Sequence, residues 1–375
     1  MKNRIIKKAL QKQFFQGKAI ILVGARQVGK TTLTQDLISK KDTLFFNCDN
    51  PSERESLNEK DLDYLEKIID SKKIIFIDEG QKVKSIGQTV KLLVDRFKKE
   101  KQIIITGSSS MNLLDQTAEA LTGRKIVFNL FPLSLEELFP KKNPLEISKN
   151  LESLLIFGSY PEVINQKSFD KKRNILEELS SSNLYKDILE FQQIRNSAVI
   201  FNLLKALAFQ VGSEVSYNEL SNTIGIDKKT VEKYIDLLEK NYILFRLPPY
   251  YKNKRKEISQ SKKIYFYDLG IRNAIINNFN LLDFRDDIGA LWENFIINER
   301  LKYQSYHKIY SNNYFWRTYT GVEVDWIEEH DGKLFGFEFK FNPKKKIKAP
   351  ASWLETYPES SWKLINKENF TDFIA

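Results

Sequence analysis

Two groups of residues in this chain have the types and spacings that chemistry requires. The first is Gly24-Ala25-Arg26-Gln27-Val28-Gly29-Lys30-Thr31, followed by Thr32. In a G-x-x-x-x-G-K-T run the glycines let backbone N–H groups approach phosphate oxygens. The lysine reaches the β- and γ-phosphates, and the threonine hydroxyl is placed for Mg²⁺. Farther along, Asp78 and Glu79 close the apolar run Lys73 to Ile77. Asp78 is expected to hold Mg²⁺ beside Thr31, and Glu79 to polarise an attacking water as a general base. ATP and Mg²⁺ are the cofactors this combination implies. The second group is Glu293, Asp325, Glu338 and Lys340. Asp325 and Glu338 at neighbouring strand ends would chelate Mg²⁺, with Glu293 completing or positioning that site. Residues 338 and 340 face the same side of a strand, so Lys340 could stabilise an attacking hydroxide or a pentavalent phosphate, while Phe339 points into the core. Charges alternating on an exposed edge strand would give the same letters with no metal bound.

The elements that must position these groups are legible in the pattern. Ala19 to Val23 reads as a strand and Thr31 to Ser39 as the helix after the loop. Lys73 to Ile77 is a near-continuous β-branched run, as a central parallel strand would be. A third strand, Gln102 to Thr106, leads into Gly107-Ser108-Ser109-Ser110. If it lies between the other two, Ser108 first and Ser109 second would stand next to the γ-phosphate. The same serines would also serve as the cap of a helix from Met111. Leu121-Thr122-Gly123-Arg124 precedes the strand-like Lys125 to Asn129. Arg124 is expected as a finger across a subunit boundary, as a nucleotide sensor within the chain, or as a plain surface residue in a turn. Arg26 is a second candidate for a phosphate contact. Strands and helices alternating in this way imply a mostly parallel sheet covered by helices.

The run Gly24 to Thr32, the segment Phe76-Ile77-Asp78-Glu79-Gly80-Gln81, the strand end Thr106 to Ser110, and Leu121 to Arg124 together resemble one family. It is the group of bacterial and archaeal AAA-type ATPases fused to an uncharacterised C-terminal domain. Gly158-Ser159-Tyr160-Pro161-Glu162 is similar to that family's signature beyond the core. The resemblance implies a sensor role for Ser108 and a small helical lid after the core that moves with the nucleotide state. The order D…E-x-K after an acidic residue on a helix resembles the restriction-endonuclease-like fold and the archaeal Holliday-junction resolvases. That second resemblance implies a metal-dependent DNA-processing site.

The expected architecture is therefore α/β, with a P-loop AAA-type parallel core over 1–140 and a helical lid and winged helix over 141–265. A restriction-endonuclease-like domain is expected over 266–375. Residues 141–150, preceded by Pro140 and containing Pro144, read as a hinge, and 151–195 as mostly helical around Leu176, Leu179 and Leu184. From Ser197 onward three short helices and a strand give the winged-helix order, with Lys228, Lys229, Thr230 and Lys233 on the outer face of the third helix. The stretch Arg246 to Tyr265 is strongly basic, with Tyr250 and Tyr251 interleaved, as a wing along a phosphate backbone would be. A net charge of +10 and a pI near 9.2 favour an acidic partner, with nucleic acid, as DNA duplex or junction, the expected one. An arginine supplied in trans would make a homo-oligomer the working form. The single Cys48 fits a reducing cytoplasm, and no stretch reaches the roughly 20 apolar residues that span a bilayer, so no membrane partner is expected. The function these features point to is an ATPase that remodels or processes branched or broken DNA. A regulatory switch gating a protein partner, and a toxin-like nuclease restrained by its ATPase, are the alternatives.

Overall fold

A computed structural model describes residues 3–58, 61–108, 110–183, 197–251 and 261–374. The chain divides into two compact units, residues 1–132 with 240–242, and residues 133–239 with 243–375. The expectations for Ser109, Leu184 and the basic stretch 252–260 lie outside the described residues.

The first unit is built on β1 (Ala19–Val23), β2 (Thr43–Asn47), β3 (Ile74–Asp78), β4 (Gln102–Gly107) and β5 (Lys125–Asn129). They form one parallel sheet in the order β2-β3-β4-β1-β5. The three central strands are runs of Ile, Val, Leu and Phe without alternation, because helices cover them on both faces. The helices Leu62–Ile69 and Ile86–Phe97 press apolar stripes onto this sheet through Leu65, Ile69, Val90, Leu93 and Phe97. β2 had no counterpart in the sequence reading: it is a five-residue edge strand with Phe45 partly exposed. Since every strand runs the same way, all five C-terminal ends lie along one edge, the usual place for a ligand in an open α/β sheet.

The second unit opens with the short helix Leu135–Leu138, followed by the helices Pro144–Phe157, Pro161–Ile164 and Phe169–Glu178. The hinge expected over 141–150 is mostly helix, because Asn143 caps it (Leu145 N–H to Oδ1, 3.0 Å) and Pro144 takes the first helical position. The helix Ser197–Phe209 follows, then β6 (Glu214–Val215), the helices Tyr217–Ile224 and Lys228–Lys240, β7 (Leu244–Leu247) and β8 (Lys262–Phe266). Ser216 caps the first of these two helices and Asp227 the second, with Gly225 left-handed between them. β8 lies between β6 and β7, antiparallel to both, so the domain boundary expected at 265–266 cuts a strand held along both edges.

The helices Leu269–Ile275 and Ile288–His307 lead to β9 (Asn312–Arg317), β10 (Glu323–His330), β11 (Lys333–Phe339) and β12 (Ser361–Ile365). Their order is β12-β11-β10-β9, with only the β11–β12 pair parallel. Trp353 and Tyr357, from the segment between β11 and β12, pack on this sheet with Trp316, Tyr314 and Tyr250 in one cluster.

Candidate functional site

The phosphate loop joins β1 to the helix Lys30–Leu37 at the C-terminal edge of the parallel sheet. Gly29 has φ +94°, which favours glycine, and nothing stands within 4 Å of where its Cβ would be. Gly24 answers to space instead: a Cβ there would lie 2.1 Å from the Leu130 carbonyl oxygen, since the chain after β5 hugs the end of β1. Ala25 and Val28 are buried, Gln27 is exposed at φ +60°, Arg26 is half-buried, and Thr32 faces out from the helix. The buried Lys30 ammonium donates to the loop's own carbonyls at Gly24 (2.9 Å) and Ala25 (2.8 Å).

Asp78 closes β3 beside this loop. Its Oδ2 accepts the Thr31 hydroxyl at 2.9 Å, and its Oδ1 accepts the Thr106 hydroxyl from the end of β4. Burial pushes the Asp78 carboxyl above the ordinary range; the two hydroxyls pull it back, and Glu79 pushes it up further. Glu79 sits in the left-handed region at φ +53°, uncommon for a residue with a Cβ and a form of strain that collects at functional sites. The turn aims its carboxylate at two donors, Gln81 Nε2 at 2.5 Å and Ser108 Oγ at 2.9 Å, and Gln81 also donates to Ser108 at 3.1 Å. Thr31, Asp78, Glu79 and Ser108, drawn from three separate segments, thus converge on one edge. Sequence reasoning passed over Thr106 and gave Gln81 no role. Thr106 carried a signal, a hydroxyl directly after the apolar run Ile103 to Ile105. Gln81 carried none that spacing alone would reveal.

Arg124 does not join them. The parallel register sets Ala19 opposite Lys125, and the Ala19 N–H donates to the Arg124 carbonyl at 2.8 Å. Arg124 therefore stands at the N-terminal edge, the five-residue length of β1, about 16 Å, from its own phosphate loop. There it pairs with Asp95 at 2.5 Å. Sensing nucleotide within its own chain is excluded by that register, because parallel strands put a residue preceding β5 at the opposite end from one following β1.

The second unit brings its own acidic residues together. Oxygens of Glu293, Glu323 and Asp325 lie within 4.8 Å of one another. Glu293 comes from the helix Ile288–His307, the other two from β10. A register shift between Val324 and Ile327 puts a bulge at Asp325, the kind of irregularity that re-aims a side chain. Asp325 Oδ2 accepts the Phe339 N–H at 2.8 Å. Burial drives the Asp325 carboxyl well up, and Glu293 and Glu338 add to the rise. Glu338 stands apart from the triplet, held by Lys340 at 2.6 Å, with Lys340 also 3.8 Å from Asp325. The expected same-side placement of 338 and 340 holds, and Phe339 is buried.

Three residues to which the sequence reading gave no role in this site complete the cluster. Glu323 is two before Asp325 on the same strand, a spacing that could have flagged it. Lys263 of β8, almost fully buried, reaches Glu293 at 3.0 Å and pairs with Glu323 as well; Tyr265, two residues on, donates to Glu293 at 2.6 Å. Burial acts to lower the Lys263 pKa, yet Tyr265 and the surrounding carboxylates hold it well above its usual value. An ammonium thus lies where the carboxylates converge.

Residues 16–139 match the family model described as AAA domain. This unit is an AAA-type ATPase fold, and the loop, Asp78 and Glu79 fall inside the match. Two families described as domains of unknown function match the rest, DUF8612 over 148–282 and DUF4143 over 288–369. An uncharacterized protein of Mycobacterium tuberculosis is 25% identical over 333 residues, covering 88% of this chain and 72% of that protein. An uncharacterized protein of Methanocaldococcus jannaschii is 27% identical over 351 residues, covering 87% and 75%. Among solved structures, a Signal Transduction ATPase with Numerous Domains (STAND) protein with a tetratricopeptide repeat sensor from Pyrococcus horikoshii matches at TM-score 0.27 and 13% identity. That match covers 80% of this chain and 47% of the other, and a score this low carries no weight for function.

Proposed function

We propose that the chain is a Mg²⁺-dependent ATPase that acts on DNA, coupling ATP binding and hydrolysis to movement of a helical lid and two further domains. The observation that carries the ATPase half is the Thr31–Asp78 contact at 2.9 Å, a hydroxyl and a carboxylate brought together at the mouth of the phosphate loop. These are hard oxygen donors, the type Mg²⁺ takes. Thr31 and Asp78 would hold the ion, which when bound neutralises charge on the β- and γ-phosphates. Lys30 would leave its carbonyls for the phosphates, Glu79 would take the proton of the attacking water, and Ser108 with Gln81 would fix the Glu79 carboxylate. Arg124, placed far from its own loop, would have to exchange its Asp95 partner to serve a neighbouring copy, the arrangement on which a homo-oligomer is proposed.

The DNA half rests on the second unit. Its helix–helix–turn–helix order with β7 and β8 supports a winged helix, with Lys228, Lys229 and Lys233 exposed along the third helix. Thr230 is taken by the Asp227 cap, and Arg246 by Asp236 and Glu239, so neither is offered to a phosphate. The Glu293–Glu323–Asp325 triplet with Glu338 and Lys340 supports an endonuclease-like site for a divalent cation. Its donors fit such a cation in kind, and the cation would have to displace the Lys263 ammonium. The buried Cys48 and the absence, among the described residues, of a helix long and apolar enough to cross a membrane accord with a cytoplasmic setting.

The test is ATP turnover with and without DNA junctions, in the parent and in Glu79→Gln. DNA-stimulated turnover is expected, falling roughly 10²- to 10⁴-fold in the variant with nucleotide affinity retained. Turnover indifferent to every duplex, fork and junction would overturn the DNA half. A second reading, a switch ATPase gating a protein partner, draws on the double tether of Glu79 by Gln81 and Ser108, a base held at rest. Slow single-turnover hydrolysis raised by a protein ligand would favour it.

A further inference from the structure

Beside the acidic triplet lies a groove that neither the ATPase nor the metal reading uses. It is a cavity of about 270 Å³ lined by Glu214, Pro249, Tyr251, Phe315, Arg317 and Tyr319, among others. Its place on the sheet is fixed by register. Arg317 of β9 is directly opposite Glu323 of β10, so the two share a face, and Phe315 follows on that face two residues away. The Lys263 ammonium that reaches Glu293 and Glu323 also lies 5.4 Å from the centre of the Phe315 ring. The groove and the triplet are neighbours.

The outer wall is a presented aromatic ring. Tyr319 is fully exposed, yet the turn that carries it is tightly bonded. The Thr318 N–H donates to the Val322 carbonyl (2.9 Å) and the Gly321 N–H to the Thr318 carbonyl (3.1 Å). The Thr318 hydroxyl accepts the Val322 N–H (3.0 Å). Such a turn fixes the backbone that carries the ring, so its ordering cost is already met in the free protein. Buried Phe315 floors the groove, Tyr251 is half-buried, and Arg317 is about half exposed between Glu214 (3.2 Å) and Glu323 (3.8 Å). Flat rings with a guanidinium among them are what a nucleobase stacks on, and Glu214 offers a carboxylate to an amino edge. The volume sits just under the roughly 300 Å³ floor of drug-sized ligand sites, which suits a single base with its sugar and no larger ligand.

We propose that this groove binds one unpaired nucleotide of a DNA strand, its base stacked on Tyr319, and so places the adjoining phosphodiester toward the Glu293–Glu323–Asp325 face. The proposal rests on the DNA reading above and adds to it the substrate feature recognised, an unstacked base rather than intact duplex. The test is fluorescence anisotropy with a labelled single-stranded oligonucleotide and with the same sequence as blunt duplex, over a salt series, using the full chain. Tyr319→Ala is the informative variant, since the ring buries nothing and its loss leaves the thermal melt unchanged. Single strand should bind more tightly than duplex. Tyr319→Ala should weaken single-strand binding by roughly tenfold with an unchanged salt slope, because stacking and not charge is lost, and should leave duplex binding unaltered. Equal loss on both forms, no loss on either, or no preference for single strand would overturn the groove proposal while leaving the DNA reading in place. Binding to neither form, including a case in which only an acidic peptide binds, would overturn both.

Discussion

Gly158 is the position where the structure makes its most quantitative demand. It ends the helix Pro144–Phe157 at φ +66°, ψ −156°, a region open essentially to glycine alone. A Cβ there would lie 2.0 Å from Asp268 Oδ1 and 2.5 Å from both Cγ and Oδ2. Asp268 has no room to retreat. It is almost fully buried, accepts the Ser159 N–H at 2.7 Å, and caps the helix Leu269–Ile275 through the Ile271 N–H at 3.2 Å. Gly158→Ala therefore combines a backbone penalty of about 1–3 kcal/mol with damage to hydrogen bonds on a charged acceptor, about 1.5–3 kcal/mol. Together these give about 2.5–6 kcal/mol, a large share of the roughly 5–15 kcal/mol that a folded domain has. The assay is urea unfolding of the full chain, with hydrogen exchange along 144–157 and 269–275 locating the loss. Repeating the substitution in an Asp268→Ala background separates the two contributions: there only the backbone penalty of about 1–3 kcal/mol should remain. An equal cost in both backgrounds, or a cost below about 1 kcal/mol in the parent, would refute the steric reasoning.

Two further outcomes follow from buried charges. The Asp268 carboxyl is raised to about 6, chiefly by burial, against an ordinary value of 3.8. The native state thus binds more protons than the unfolded state between those values, so this group's contribution to stability is full below about 3.8 and declines as pH rises to about 6. About two units at 1.36 kcal/mol each give about 3 kcal/mol. Asp268→Asn should remove that decline, and parallel stability–pH curves for parent and variant from pH 4 to 7 would count against it. Lys263→Gln should strengthen Mn²⁺ binding to nucleotide-free protein about tenfold or more, because it removes the positive charge that now pairs with Glu293 and Glu323. The gain should vanish when Asp325→Asn is added; calorimetry showing equal affinity in parent and Lys263→Gln would refute the competition.

What the sequence disclosed was whatever chemistry is contiguous in the chain. The phosphate loop, the Asp78–Glu79 pair and the strands around them are local patterns, and the fold places them as read. Contacts made by register were not legible. Nothing near Arg124 in sequence says which end of the sheet it occupies; the parallel pairing of β1 with β5 decides that. Glu293 announces itself as an acid on a helix, but its partners Lys263 and Tyr265 come from a strand some thirty residues earlier and meet it only through tertiary packing. Gly158 and Asp268 are 110 residues apart, so the signature around Gly158 gave no hint that a carboxylate is what forbids a side chain there. The hinge expected over 141–150 failed for a local reason, since polar composition was weighed above the Asn143-Pro144 start signal.

The two carboxylate sites differ in how their charge is met, and the difference bears on what each is ready to do. Asp78 is held by neutral donors, the hydroxyls of Thr31 and Thr106, which orient its oxygens without cancelling their charge. A cation arriving with a nucleotide would find a carboxylate whose charge is still available, and the Thr31 hydroxyl already beside it. Asp325 and its neighbours are held by ammonium groups, Lys263 on Glu293 and Glu323, and Lys340 on Glu338. Buried carboxylates this close need positive charge to remain ionised, and here the chain supplies it from within. A divalent cation entering must therefore displace an almost fully buried ammonium from two partly buried carboxylates, at a cost the first site does not impose. The expected order of events is that the ATPase site fills with its metal and nucleotide first. On the metal reading proposed above, the acidic triplet would take a cation only after the Lys263 ammonium leaves Glu293 and Glu323.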